Sequence, residues 1–252
     1  MLHRTGMARI AAGLAAAALA AACGGTPASP SSPAAAAPVT SPSSPTTGLP
    51  SLYSQFYGAQ VSLDGASVVL RATSVPDHPS PYFGPGHAQY EPPHAGMVVN
   101  PNRILPQDLV LRVPVAPSVT SPSDTPLGPI GVAVNGVALF NQYAAARAPV
   151  DAEIPTFDRF NGHPTEIGTY HHHLEPLWLT AQSSSRLIGV LLDGFPVYGT
   201  RDADGALPTG LDACNGHVGP TPDFPQGTYH YHITSGPPYI AGCFRGQPGT
   251  LG

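Results

Sequence analysis

Apolar and polar positions alternate with a period of two in QVSLDGASVVLRA, residues 60 to 72, where Asp64-Gly65 interrupts two short runs. That pattern predicts two strands joined by a turn that needs positive φ. A third strand is expected at LVLRVPV, residues 109 to 115. Two further apolar runs, Ile130 to Phe140 and Ile188 to Tyr198, each enclose an Asn-Gly or Asp-Gly pair and read as hairpins. Stretches with the 3.6-residue period of an amphipathic helix are missing. The expected fold is therefore mainly β, with two similar β-rich units packed as one domain and an N-terminal hairpin completing it.

Composition supports that reading. The 252 residues include 28 glycines and 32 prolines, a density of breakers that excludes a helix bundle or a parallel α/β enzyme. All ten basic residues are arginine, and the absence of lysine excludes Schiff-base chemistry and a P-loop. Net charge is −5, and without Arg4 and Arg9 it falls to about −7, so nucleic acid is not an expected partner.

Residues 1–22 carry those two arginines and then an Ala- and Leu-rich run ending at Cys23, the pattern of a secretory signal. Leu19-Ala20-Ala21-Ala22-Cys23 resembles a bacterial lipobox, with Cys23 as the lipidated residue and the membrane as partner through that anchor. The leucine stands one place further from the cysteine than usual, and a protein released outside the cell is the alternative. Residues 23–50 are rich in Pro, Ser and Ala and uncharged, and are expected to form a tether. Residues 51–252 form the folded domain. An extracytoplasmic location favours a disulfide between Cys214 and Cys243 over their use as soft metal ligands.

The domain repeats itself. Beyond the paired hairpins, Asp158-Arg159-Phe160-Asn161-Gly162-His163 parallels Asp212-Ala213-Cys214-Asn215-Gly216-His217, and Gly168-Thr169-Tyr170-His171-His172-His173 parallels Gly227-Thr228-Tyr229-His230-Tyr231-His232. The blocks keep their order, which predicts a tandem duplication, about 130–176 and 188–234, around a pseudo-twofold axis. On a strand, His171 and His173 share one face, as do His230 and His232, so each HxH pair can chelate one ion. His163 and His217 are candidate further ligands. Asp158 and Asp212 are expected as ligands or as carboxylates orienting an imidazole, with Tyr170 and Tyr229 beside them. The ion expected is copper or zinc, in one shared site or one per repeat. His172 points to the opposite face; His78 is a weaker candidate, and His87 and His94 read as loop residues.

Three functions fit these features. The first is a cell-surface lipoprotein binding a transition metal. The second is an extracellular metal-dependent hydrolase or oxidoreductase, with His163, His217, Asp158 and Asp212 as candidate catalytic groups. The third is a metal-free glycan or cell-wall binding module, with Trp178, Tyr198 and Tyr239 as stacking surfaces.

The strings DGFPVYG, LDACNGH, TPDFPQGTYHYHIT and PPYIAGCFRG between Asp193 and Gly246 resemble the bacterial YHYH domain family. GVAVNGVALFN and GTYHHH resemble its first half, and Pro76-Asp77-His78 resembles its amino-terminal signature. The resemblance implies a secreted or surface protein without implying an activity. His172 stands where the family usually has Tyr, and Phe160 where a cysteine often occurs, which leaves Cys243 as the natural partner of Cys214.

Overall fold

The computed structural model describes residues 48–252. The signal, the lipobox cysteine and nearly all of the tether lie outside the described residues. Fourteen strands carry the described chain: β1 (Ala59–Asp64), β2 (Ser67–Ala72), β3 (Leu109–Pro114), β4 (Ser123–Asp124), β5 (Pro129–Ala133), β6 (Ala138–Phe140) and β7 (Gly162–Pro164), followed by β8 (Tyr170–His172), β9 (Leu187–Leu191), β10 (Pro196–Tyr198), β11 (Gly216–Gly219), β12 (Thr228–His232), β13 (Cys243–Phe244) and β14 (Thr250–Leu251). The only α-helix among the described residues is the single turn Leu177–Thr180. Among the described residues no helix is long and apolar enough to cross a membrane.

The expected N-terminal hairpin is present. β1 and β2 pair antiparallel, with Gly65 at φ +60° as the first residue of the two-residue turn between Asp64 and Ser67. That position suits glycine in a type II′ turn. β3 adds to β2, and β14 closes the sheet in the order β1-β2-β3-β14.

The second sheet has eight strands in the order β11-β12-β10-β9-β5-β6-β8-β7. Its two halves have the same connectivity. β5 and β6 form an antiparallel hairpin, β6 pairs parallel with β8, and β7 lies antiparallel at the edge. In the other half β9, β10, β12 and β11 take the same relations. The halves meet at the antiparallel β5–β9 pair, where Gly131 faces Leu191 and Ala133 faces Gly189. A Cβ on Gly131 would fall 2.5 Å from the Val190 carbonyl oxygen, and one on Gly189 would fall 2.2 Å from that of Val132. Glycine at both places lets the central strands approach.

Each hairpin turns on its Asn-Gly or Asp-Gly pair. Gly136 (φ +81°) donates its N–H to the Ala133 carbonyl, and Gly194 (φ +84°) donates to that of Leu191. The sheets share one core, in which Val68, Leu70, Leu111 and Val113 of the small sheet join Ile130, Leu139, Ile188 and Val190 of the large one.

Cys214 and Cys243 form a disulfide with their Cα atoms 4.6 Å apart and 29 positions apart in sequence. It ties the turn before His217 to β13. Restricting an unfolded loop of that length stabilises the fold by about 3–4 kcal/mol. Replacing both cysteines by serine should lower Tm by roughly 6–16 °C in a domain of this size, read by calorimetry.

Candidate metal centres

The repeated motifs become legible once their side chains are followed. In the DxxNGH turns, Asn161 (φ +62°) and Asn215 (φ +77°) occupy the left-handed region that asparagine tolerates. Asp158 Oδ1 accepts the backbone N–H groups of Phe160 and Gly162 at 2.9 and 3.3 Å; Asp212 Oδ1 accepts those of Cys214 and Gly216 at 2.9 and 3.2 Å. The Tyr170 hydroxyl donates to Asp158 Oδ2 at 2.7 Å, and that of Tyr229 donates to Asp212 at 3.1 Å. A Cβ on Gly162 or Gly216 would lie 2.3 Å from the nearest atom of Tyr170 or Tyr229 respectively. Gly162→Ala should therefore cost about 1–3 kcal/mol in a denaturant melt, because the buried Tyr170 ring has nowhere to go.

These contacts correct one expectation. Asp158 and Asp212, with Tyr170 and Tyr229, make their hydrogen bonds to the turns and to each other, and Asp158 also accepts from the Ser80 hydroxyl at 2.7 Å. They lie on the face opposite the HxH pairs, because alternation along a strand sends Tyr170 and Tyr229 away from their neighbours. Neither aspartate reaches the paired histidines.

The turns do deliver His163 and His217 to the right place. β7 pairs with β8 so that His163 stands opposite His171, and β11 pairs with β12 so that His217 stands opposite His230. Directly opposed residues project from the same face. In the first half His163 Nε2 and His171 Nε2 are 3.1 Å apart, and His171 Nε2 and His173 Nε2 are 3.0 Å apart. In the second, His217 Nε2 and His230 Nε2 are 3.1 Å apart. Asp202 Oδ1 lies 3.2, 4.0 and 3.1 Å from the Nε2 atoms of His217, His230 and His232. Two groups of potential ligands result: His163, His171 and His173, and Asp202, His217, His230 and His232. Glu153 Oε2 flanks the first group, 3.5 Å from both His163 and His173.

The two HxH strands do not converge. Five inter-strand steps separate β8 from β12, roughly 24 Å at about 4.8 Å each, so each half builds its own group of potential ligands.

Tautomers follow from the partners of Nδ1. His171, His173, His217, His230 and His232 direct Nδ1 at the backbone carbonyls of Thr169, Asn141, Thr209, Thr228 and Gly199, at 2.5–3.1 Å. His163 directs Nδ1 at the Thr156 hydroxyl, whose own proton goes to the Glu153 carbonyl. A carbonyl only accepts, so each Nδ1 carries the proton and each Nε2 presents a lone pair. Lone pairs 3.0–3.1 Å apart, as between His163 and His171, His171 and His173, and His217 and His230, repel one another unless a cation lies between them. A proton is poorly placed for that role. Burial pushes His163 down to about 3 and His173 and His230 to about 4, and it lowers His171 well below the usual imidazole range. Burial also lowers His232, against the opposing effect of the Asp202 carboxylate 3.1 Å from its Nε2. A tetrahedral ion with bonds of about 2.05 Å sets its ligands roughly 3.3 Å apart, close to the histidine spacings of 3.1 and 3.0 Å in the first half. The residues fit a transition metal, with carbonyl-held imidazoles as its supports.

Sequence reasoning missed Glu153 and Asp202. Both precede their DxxNGH turn, Glu153 by five positions and Asp202 by ten, so alignment of the repeats left them unmatched. His163 and His217, considered as further ligands and as acid or base, each belong to one of the two groups of potential ligands. His78 and His172 lie on the other face, their ring centroids 6.5 Å apart, and Trp178 packs 5.7 Å from His78. The three aromatic residues considered for glycan stacking form no exposed platform. Tyr198 and Tyr239 are buried, and Trp178 packs against the core.

The sequence model described as YHYH protein matches residues 110–209 and 202–246. No curated protein and no solved structure gives a significant match. Those two spans include both HxH strands and both DxxNGH turns, and the chain belongs to the YHYH protein family.

Proposed function

We propose that this protein is a lipid-anchored, cell-surface protein that binds two transition-metal ions, copper or zinc, one in each half of the large sheet. The observation that carries the reading is the convergence of three deprotonated Nε2 atoms in each half, each imidazole locked in that tautomer by an acceptor at Nδ1. Three imidazoles in each half, joined by the Asp202 carboxylate in the second, form a borderline donor set suited to zinc or divalent copper. The disulfide is consistent with an extracytoplasmic location. Sensing, storage and scavenging all require such a site.

X-ray absorption on zinc-loaded, untagged protein tests the ligand set. The expected nearest shell holds imidazole nitrogens and a carboxylate oxygen at about 2.0–2.1 Å. A sulfur-containing shell, or failure to retain zinc through dialysis, would sink the proposal.

A second reading, a metal-dependent extracellular hydrolase or oxidoreductase, draws support from one feature. His163, His171, His173 and Glu153 line a cavity of about 650 Å³. A metal at the end of such a cavity is accessible to a substrate.

A further inference from the structure

The halves share their connectivity but differ in how the fourth ligand is supplied. Asp202 joins its three histidines in one mutually close group. Glu153 approaches His163 and His173 only, and stands outside the corresponding group. A site closed by four protein ligands holds an ion, whereas a site of three keeps a position for something else. The first centre, with that position, also borders the cavity of about 650 Å³, within the range of small-molecule sites.

The cavity's composition defines what it takes. Leu127, Pro129, Phe140, Tyr143 and Ile167 supply apolar wall. Phe140 stacks on His171 with ring centroids 3.9 Å apart, so apolar surface continues to the ligand triad. Ile167, 72% exposed, and Leu127, 47% exposed, are among these lining residues and offer apolar surface to solvent. The charged carboxylates of the lining are Glu153 and Glu166, and no arginine lines it. A divalent ion with those two carboxylates sums to zero charge. An added anion would leave net negative charge in a half-enclosed apolar space, which is unfavourable; an uncharged molecule would not.

Resting on the metal reading above, we propose that the first centre binds an uncharged small organic molecule, its apolar body in the cavity and one nitrogen or oxygen donor on the metal. The second centre holds its ion without such a ligand. The two centres thus divide the work, one closed and one open to exchange.

The test uses the untagged protein loaded with cobalt(II), whose visible absorption reports coordination, with cobalt content measured first. Three probes are titrated at neutral pH: imidazole, 4-phenylimidazole and benzoate. 4-Phenylimidazole should perturb the absorption of one of the two bound ions and bind about tenfold or more tighter than imidazole, the gain coming from burial of its phenyl ring. Benzoate should bind about tenfold or more weaker than 4-phenylimidazole. Leu127→Glu and Ile167→Glu, both at exposed positions, should each weaken 4-phenylimidazole severalfold while cobalt content stays the same. Equal binding of imidazole and 4-phenylimidazole, binding of benzoate as tight as either, or equal perturbation of both ions would overturn the proposal. A chain that takes up no cobalt would defeat the metal reading itself; one that holds two ions and ignores the phenyl ring would defeat only this inference.

Discussion

Acidification from pH 7 to pH 5 is expected to remove most of the stability of the metal-free domain. His78, His163, His171, His172, His173, His230 and His232 all have their affinity for protons lowered in the fold, in each case chiefly by burial. Unfolding returns them to the ordinary value near 6.5, so below that pH the unfolded chain binds more protons than the native one. Stability therefore falls as pH drops through the window from about 6.5 to about 3–4, by up to about 1.4 kcal/mol per pH unit for each such imidazole. Asp158 and Asp193, raised by burial, act in the opposite sense and make the slope shallower than the full sum. A domain of ordinary stability, about 5–15 kcal/mol, does not withstand several such contributions for long. Metal bound at the two proposed centres would hold their six imidazoles neutral and should shift the acid midpoint downward. Trp178 fluorescence and near-ultraviolet circular dichroism against pH, with and without zinc, measure both effects. A metal-free midpoint below pH 4, or one that zinc leaves unmoved, would contradict the account.

His171→Ala is expected to empty the first centre and spare the second. His171 Nε2 lies 3.1 Å from that of His163 and 3.0 Å from that of His173, so its loss takes the middle ligand from the triad. The loss should exceed the 10–100-fold typical of removing a supporting hydrogen bond around a metal ligand, and thus be more than about 100-fold in affinity. The second centre lies across five strand steps, and sites so far apart act independently. His230→Ala should do the converse. Glu153→Gln should weaken the first centre less than His171→Ala, because Glu153 contacts only two of the three histidines. Calorimetric titration with zinc resolves the two affinities. Joint loss at both centres after either substitution would mean one shared ion.

Much of the architecture is legible in the sequence because it depends on local pattern. Alternation around Gly65 specifies the β1–β2 hairpin, and period two along Tyr170 to His173 places His171 and His173 on one face. The DxxNGH string is readable for the same reason. Its aspartate, asparagine and glycine each answer a demand of a five-residue turn, and the histidine after it enters β7 or β11 opposite the first histidine of HxH.

Other features are set by long-range placement. Whether the two HxH strands meet depends on which strands form the centre of the large sheet. The Gly131 and Gly189 contacts put β5 and β9 there and send β8 and β12 outward. Glu153 and Asp202 sit in segments without periodicity, one between the short turns Val150–Ala152 and Ile154–Thr156, the other in the loop after β10. Nothing in their neighbours' types distinguishes them from Asp151 or Asp204. Asp158 and Asp212 look the better ligands because they recur at fixed spacing, yet that spacing serves the turn and its tyrosine.

The most direct test of the account counts metal ions. Untagged protein, saturated with zinc and dialysed, should contain two ions per chain by elemental analysis. It should contain one after alanine replaces His171 and His173, one after it replaces His230 and His232, and none after all four changes. A single ion per chain that disappears with either pair, or two ions that survive all four changes, would contradict it.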